Sequence, residues 1–157
     1  MIEFDGNGNL TPHTGLELNW TESKDTLIGS LGGTLTREEL LINYFALVEY
    51  LQLEITPHFV QFVNGSFTTA KAHPNDIDVV IFIDYQTFER HNATIQSCKS
   101  RFHLLHLDCY FEKVYPPDHE YFIRYRTNQL YWNDLFTKNR KRQKKGYLKI
   151  IFGHGVS

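Results

Sequence analysis

Residues 62–83 read FVNGSFTTAKAHPNDIDVVIFI. The run Ile77–Ile83 is β-branched and apolar on both faces, which predicts an interior strand. Asp76 and Asp78 stand at its start, and side chains two apart on a strand point the same way. Two carboxylates held side by side repel unless a cation lies between them. Mg²⁺ suits such a pair, because it takes one or two carboxylates and keeps sites for phosphate oxygens. Upstream, His58–Val63 reads as a second strand that breaks at Asn64-Gly65-Ser66. A short helix opening there would aim backbone N–H groups at phosphate. Gly65 permits close backbone approach, and Ser66 adds a hydroxyl.

Outward from this stretch the pattern alternates. Thr36 and Glu39 have capping-box spacing. Leu40, Leu41, Tyr44, Phe45, Leu47, Val48 and Leu51 then recur at helical spacing, in a helix ending at or before Pro57. Asp84 is placed to cap a helix over Tyr85–Ser100, His103–Phe111 reads as a strand, and Pro116-Pro117 forces a turn. Tyr121–Phe136 reads as a helix, Lys138–Lys145 as a basic run and Tyr147–Phe152 as a last strand. The order helix, strand, strand, helix, strand, helix, strand predicts an α/β (α+β) fold, helices packed on one small mixed sheet. Residues 1–33, rich in Gly, Asn and Thr, read as an N-terminal arm or cap with a short helix near Trp20–Ile28. Residues 34–157 then form the domain proper.

Bulk properties narrow the function classes. The 157 residues suit one domain, and 41% hydrophobic with 22% charged residues is a folding composition. Net charge is −2, so any nucleic-acid contact has to be local. Two cysteines, Cys98 and Cys109, are too few for a disulfide framework and suggest a reducing compartment. No window approaches a membrane span, and MIEFDGNGNL lacks signal-peptide character. The expectation is a cytoplasmic protein that does not enter membranes.

The phrase Val63-Asn64-Gly65-Ser66, a spacer, then Asp76-Ile77-Asp78-Val79 resembles the signature of the DNA polymerase β-type nucleotidyltransferase superfamily. Asn64 departs from the apolar residue usual before the Gly. A narrower resemblance is to a family of small bacterial nucleotidyltransferase-like proteins of unknown function. It rests on Gly65-Ser66-Phe67, Lys71 and Pro74-Asn75-Asp76-Ile77-Asp78, with weaker matches at Gly8-Asn9-Leu10-Thr11-Pro12, Trp132 and Lys145-Gly146-Tyr147. The resemblance implies that Asp76 and Asp78 bind Mg²⁺, that Asp108 on a neighbouring strand completes the metal site and helps deprotonate an acceptor hydroxyl, and that Gly65 and Ser66 grip the phosphates of an NTP such as ATP. Lys71 is assigned to the triphosphate by position and charge. Arg140 and Lys145 are the candidate nucleotide contacts of the basic run. The implied activity is Mg²⁺-dependent transfer of a nucleoside monophosphate to a protein or RNA acceptor. Small proteins of this kind often act in toxin–antitoxin or phage-defence systems, with a partner protein or as homo-oligomers.

Other readings compete. A catalytically silent module with the same fold, an antitoxin-like partner, would turn Asp108 away from Asp76 and Asp78. A sugar or antibiotic nucleotidyltransferase would need a larger pocket. Asp84 shares the strand of Asp78 but lies about 20 Å along it. His103 and His106, beside Asp108 and Cys109, lack zinc-site spacing and read as strand histidines. No Gly-Lys-Ser/Thr phosphate loop is present.

Overall fold

The sheet is built around its most apolar strands. In the computed structural model, which describes residues 2–156, strands β1 (Glu3–Phe4) and β2 (Leu10–Thr11) form a small antiparallel ribbon. Then come β3 (Gly15–Asn19), helix α1 (Trp20–Leu31), helix α2 (Leu35–Glu54), β4 (Phe59–Asn64) and a 3₁₀ turn at Ser66–Thr68. Strand β5 (Ile77–Asp84), helices α3 (Tyr85–Arg90) and α4 (Asn92–His103), β6 (Leu107–Val114), helix α5 (Phe122–Phe136) and β7 (Tyr147–Phe152) complete the chain. The main sheet is mixed, in the order β3-β7-β4-β5-β6. Strands β3 and β7 are parallel, as are β5 and β6, while β4 runs antiparallel to both its neighbours. The expected α+β class holds, and Ile77–Ile83 is interior because β4 and β6 flank it.

The two faces of the sheet are covered unequally. Val63, Val79, Ile81, Ile83, Cys109 and Ile150 face a core completed by α1, α2 and α4. Phe62, Val80, Phe82 and Tyr147 face the other way, onto Phe136, Tyr125 and Trp132 of α5. Strand alternation puts Asn64, Asp78 and Asp108 on this second face. Strand register aligns them, Asn64 opposite Asp78 and Asp78 opposite Asp108, in one row at one end of the sheet.

Four local expectations are corrected. Residues 2–33 are more than a loop-rich arm: β3 is an edge strand of the main sheet, and the expected short helix is α1, which is capped by Asn19 and buries Leu27 and Leu31. The bare Cα of Gly146 makes this docking possible, since a Cβ there would meet the carbonyl oxygens of Leu10, Pro12 and Thr14. The cap of α2 lies two residues upstream of Thr36: Thr34 Oγ1 accepts the Arg37 N–H at 3.2 Å, and Glu38 accepts the Gly33 N–H at 2.9 Å. The segment Tyr85–Ser100 is two helices, because His91 leaves helical backbone and turns its ring onto the Thr87 carbonyl. Asp84 does cap the first of them. His103 ends α4, and His106 takes a left-handed backbone (φ 65°) that turns the chain into β6, so neither is a strand residue. Among the described residues, no helix is long and apolar enough to cross a membrane.

Candidate active site

Each of the three acidic side chains is placed by a different constraint. Asp76 lies just ahead of β5 and Asp78 is its second residue; Asp108 is the second residue of β6, directly across the parallel pair. Each offers one carboxylate oxygen, and these oxygens lie within 4.8 Å of one another. Among the described residues this is the only such trio of acidic, histidine or cysteine ligands. Burial pushes the Asp78 carboxyl up to about 6, the charges of Asp76 and Asp108 add to the rise, and Lys145 and Arg140 oppose it.

The turn beside the trio is tightly made. Gly65 has φ 90°, a left-handed backbone that favours glycine. A Cβ there would sit 3.2 Å from the Asp78 nitrogen, 3.3 Å from the Asp76 oxygen and 3.4 Å from Asp78 Oδ2. Ser66 Oγ accepts the Asn75 N–H at 3.2 Å, which ties the turn to the residue before Asp76. Asn64, unusual for the resembled motif, has a structural role: its buried Oδ1 accepts from Thr68 Oγ1 at 3.2 Å and steadies the 3₁₀ turn.

Lys145 is only 4% exposed. Its Nζ reaches the Gly65 carbonyl at 3.4 Å. Burial lowers its pKa to about 8, while Asp78 pulls it back up. Burial thus raises the Asp78 carboxyl and lowers Lys145, and the attraction between the two charges opposes both shifts. Arg140 is exposed and sits close enough to act on Asp78. The structure thus brings Asp76, Asp78, Asp108, Gly65, Ser66, Lys145 and Arg140 to one end of the sheet. Lys71 fits less well. Its side chain is exposed, and only its backbone is anchored: the carbonyl by Arg37 and the N–H by Thr69 Oγ1.

Arg37 was not legible as a site residue, yet it shapes the site. It is 5% exposed and has no acidic partner among the described residues. Its guanidinium donates instead to the carbonyls of Leu31, Phe67, Thr69 and Lys71. Thr34 adds a bond to the Ala72 carbonyl at 2.7 Å. The first turn of α2 therefore holds the loop that joins the Gly65-Ser66 turn to Asp76. The available signal was phase: Arg37 sits one turn before Leu40 and Leu41 on the stripe that faces the core.

His103 is a second unforeseen contributor. Its Nδ1 lies 2.9 Å from Asp108 Oδ1 and fixes how that carboxylate is presented. Beside it, a cavity of about 390 Å³ is lined by Gln96, Lys99, Ser100, His103, Asp108 and Tyr110.

A protein-family profile described as a family of unknown function, DUF6932, matches residues 2–151. The chain belongs to the DUF6932 family. No curated protein and no solved structure matches it. The span of the DUF6932 match contains the acidic trio, the Gly65-Ser66 turn, Arg37 and Lys145.

Proposed function

We propose that this DUF6932 protein is a Mg²⁺-dependent nucleotidyltransferase that moves a nucleoside monophosphate from an NTP to a hydroxyl of a protein or RNA acceptor. One observation carries the reading: carboxylate oxygens of Asp76, Asp78 and Asp108 converge within 4.8 Å beside a glycine turn and a buried lysine. Three convergent carboxylates suit a hard divalent cation with oxygen ligands. The orientation of Asp108 toward Asp76 and Asp78 favours catalysis over a silent binding module, which has no use for a third ligand.

Mg²⁺, held by Asp76, Asp78 and Asp108, would supply charge neutralisation on the reacting phosphate. Gly65 lets the turn close against Asp76 and Asp78, and Lys145 Nζ, at the Gly65 carbonyl, offers a positive charge beside it. Asp108, bonded to His103 through Oδ1, would help draw the proton from the attacking hydroxyl, and that proton leaves to water. A bond forms between that hydroxyl oxygen and the α-phosphorus as the bond to pyrophosphate breaks. Such chemistry relies on positioning and fixed electrostatics. The reading places the protein in the cytoplasm, where NTP and Mg²⁺ are supplied.

The test is incubation with each α-³²P-labelled NTP, Mg²⁺ and cell lysate, for wild type and Asp76→Ala/Asp78→Ala. Label transferred to protein or RNA by the wild type alone is the expected result. Absence of transfer with all four NTPs, under conditions where the protein is folded, overturns the proposal.

A further inference from the structure

The basic segment Lys138–Lys145 holds six of the sixteen Lys and Arg residues of the chain and no acid. The rest of the molecule, with ten cations against eighteen acids, is a net anion. The segment is ordered. Lys138 bridges to Lys144 across a tight hairpin, whose tip residue Arg142 has φ 59°. Asn139 Oδ1 accepts the N–H groups of Lys141 and Gln143, both at 2.9 Å. Gln143 and Asn139 also bond the buried Asn9, at 3.3 and 3.4 Å, so the N-terminal ribbon braces the hairpin.

Its cations divide by partner. Lys138 pairs with Asp134 at 3.2 Å. Lys145 and Arg140 act on Asp78. Lys141, Arg142 and Lys144 are exposed and make no ion pair among the described residues. A triphosphate in the acidic site already has Lys145 and Arg140. Three further free cations on a braced rim beside it suit a longer polyanion whose charges run on past the site. No apolar side chain lies in KNRKRQKK, so the rim has nothing to bury against a protein partner. Phosphates need only cations and amides.

We infer that Lys141, Arg142 and Lys144 form a phosphate track for single-stranded RNA, leading its 3′ end to Asp108. The use of that end as acceptor rests on the nucleotidyltransferase reading; the binding itself does not.

The test measures fluorescence anisotropy of a labelled 20-nucleotide single-stranded RNA across a KCl series, without nucleotide. Wild type is compared with Lys141→Gln/Arg142→Gln/Lys144→Gln, whose far-UV circular dichroism and melting report folding. Wild type should bind with a log–log salt slope steeper than the variant's by about 2, since each single-strand phosphate contact contributes roughly 0.7. ATP binding by the triple variant should stay within about twofold of wild type, as the triphosphate contacts are intact. Equal slopes for a folded variant, or no RNA binding by wild type, overturn the inference. Equal affinity for a polyglutamate probe of matched charge also overturns it and points to an acidic protein. Asp76→Asn/Asp78→Asn separates the two proposals. RNA binding retained alongside a wild type that transfers no nucleotide refutes the enzyme reading and leaves the track standing.

Discussion

Asp78 is held at a thermodynamic disadvantage. Its carboxyl titrates at about 6 in the folded protein against an ordinary 3.8. The folded state thus binds this proton more tightly than the unfolded chain. Ionising Asp78 carries no penalty below about pH 3.8, a growing one up to pH 6 and the full one above it. Asp78→Asn should therefore stabilise the metal-free protein at pH 7.5 by about 1–3 kcal/mol, a rise of roughly 3–8 °C in melting temperature. At pH 5, midway through that window, the gain should fall to about half, and it should vanish only below about pH 3.8. A thermal melt in EDTA at the two pH values measures this, and destabilisation at pH 7.5 would show that the carboxylate is not held at a penalty. Lys145→Met should weaken ATP binding at least about tenfold, a loss of 1.4 kcal/mol or more, while the fold survives; unchanged affinity by calorimetry would remove Lys145 from the site. At this scale the acidic residues were readable because strand parity and spacing fix which way they point. Lys145 was readable as a charge but not as a buried one, since burial depends on the N-terminal residues and the Gly65 turn packing around it.

At the scale of elements, the helix start at Thr34 and the loop before Asp76 form one unit. Arg37→Ala removes five side-chain hydrogen bonds to carbonyls and leaves those oxygens to find water or go unpaired. We expect a loss of about 3–5 kcal/mol, since each buried carbonyl left unpaired costs about 1–3 kcal/mol, and Arg37→Lys should not restore it, because an ammonium cannot match a planar fork that reaches four carbonyls. Hydrogen exchange should show faster exchange at Thr69 and Lys71 in either variant; unchanged protection there would mean the loop holds itself. The Thr36/Glu39 expectation failed by two residues because Thr34 and Glu38 offer the same chemistry nearer the Gly32-Gly33 break. Thr36 Oγ1 instead pairs with His73 Nδ1 at 3.1 Å. Strands and helices with strong apolar periodicity, Tyr147–Phe152 and Phe122–Phe136 among them, were legible. Strand β3 was not, because a five-residue strand at a sheet edge carries little pattern, and its partner lies more than a hundred residues away.

For the whole molecule, the acidic end of the sheet acts as a ligand-linked stabiliser. Mg²⁺ at 10 mM should raise the melting temperature by about 2–6 °C at pH 7.5. The effect should shrink at pH 5, where a proton occupies Asp78, and disappear in Asp76→Asn/Asp78→Asn. A rise of the same size in that variant would mean that the ion binds elsewhere. The class of fold followed from the order of elements, but the unequal covering of the sheet did not. That asymmetry depends on three helices crossing to one side while α5 alone takes the other, a matter of connection geometry rather than of any local run of residues. It leaves the row Asn64, Asp78 and Asp108 at the uncrowded end of the thinly covered face.

The parallel pairing of β3 with β7 has a consequence for synthesis. Gly15 lies opposite Tyr147 in that pair, so the first of these strands leaves the ribosome long before the second. At roughly 5–20 residues per second the wait is on the order of 10–30 s. Throughout that time Leu16 and Leu18 have no strand to join. A nascent chain stalled before residue 147 should thus expose its first thirty residues to protease, and release of the last strand should be the step that closes the domain.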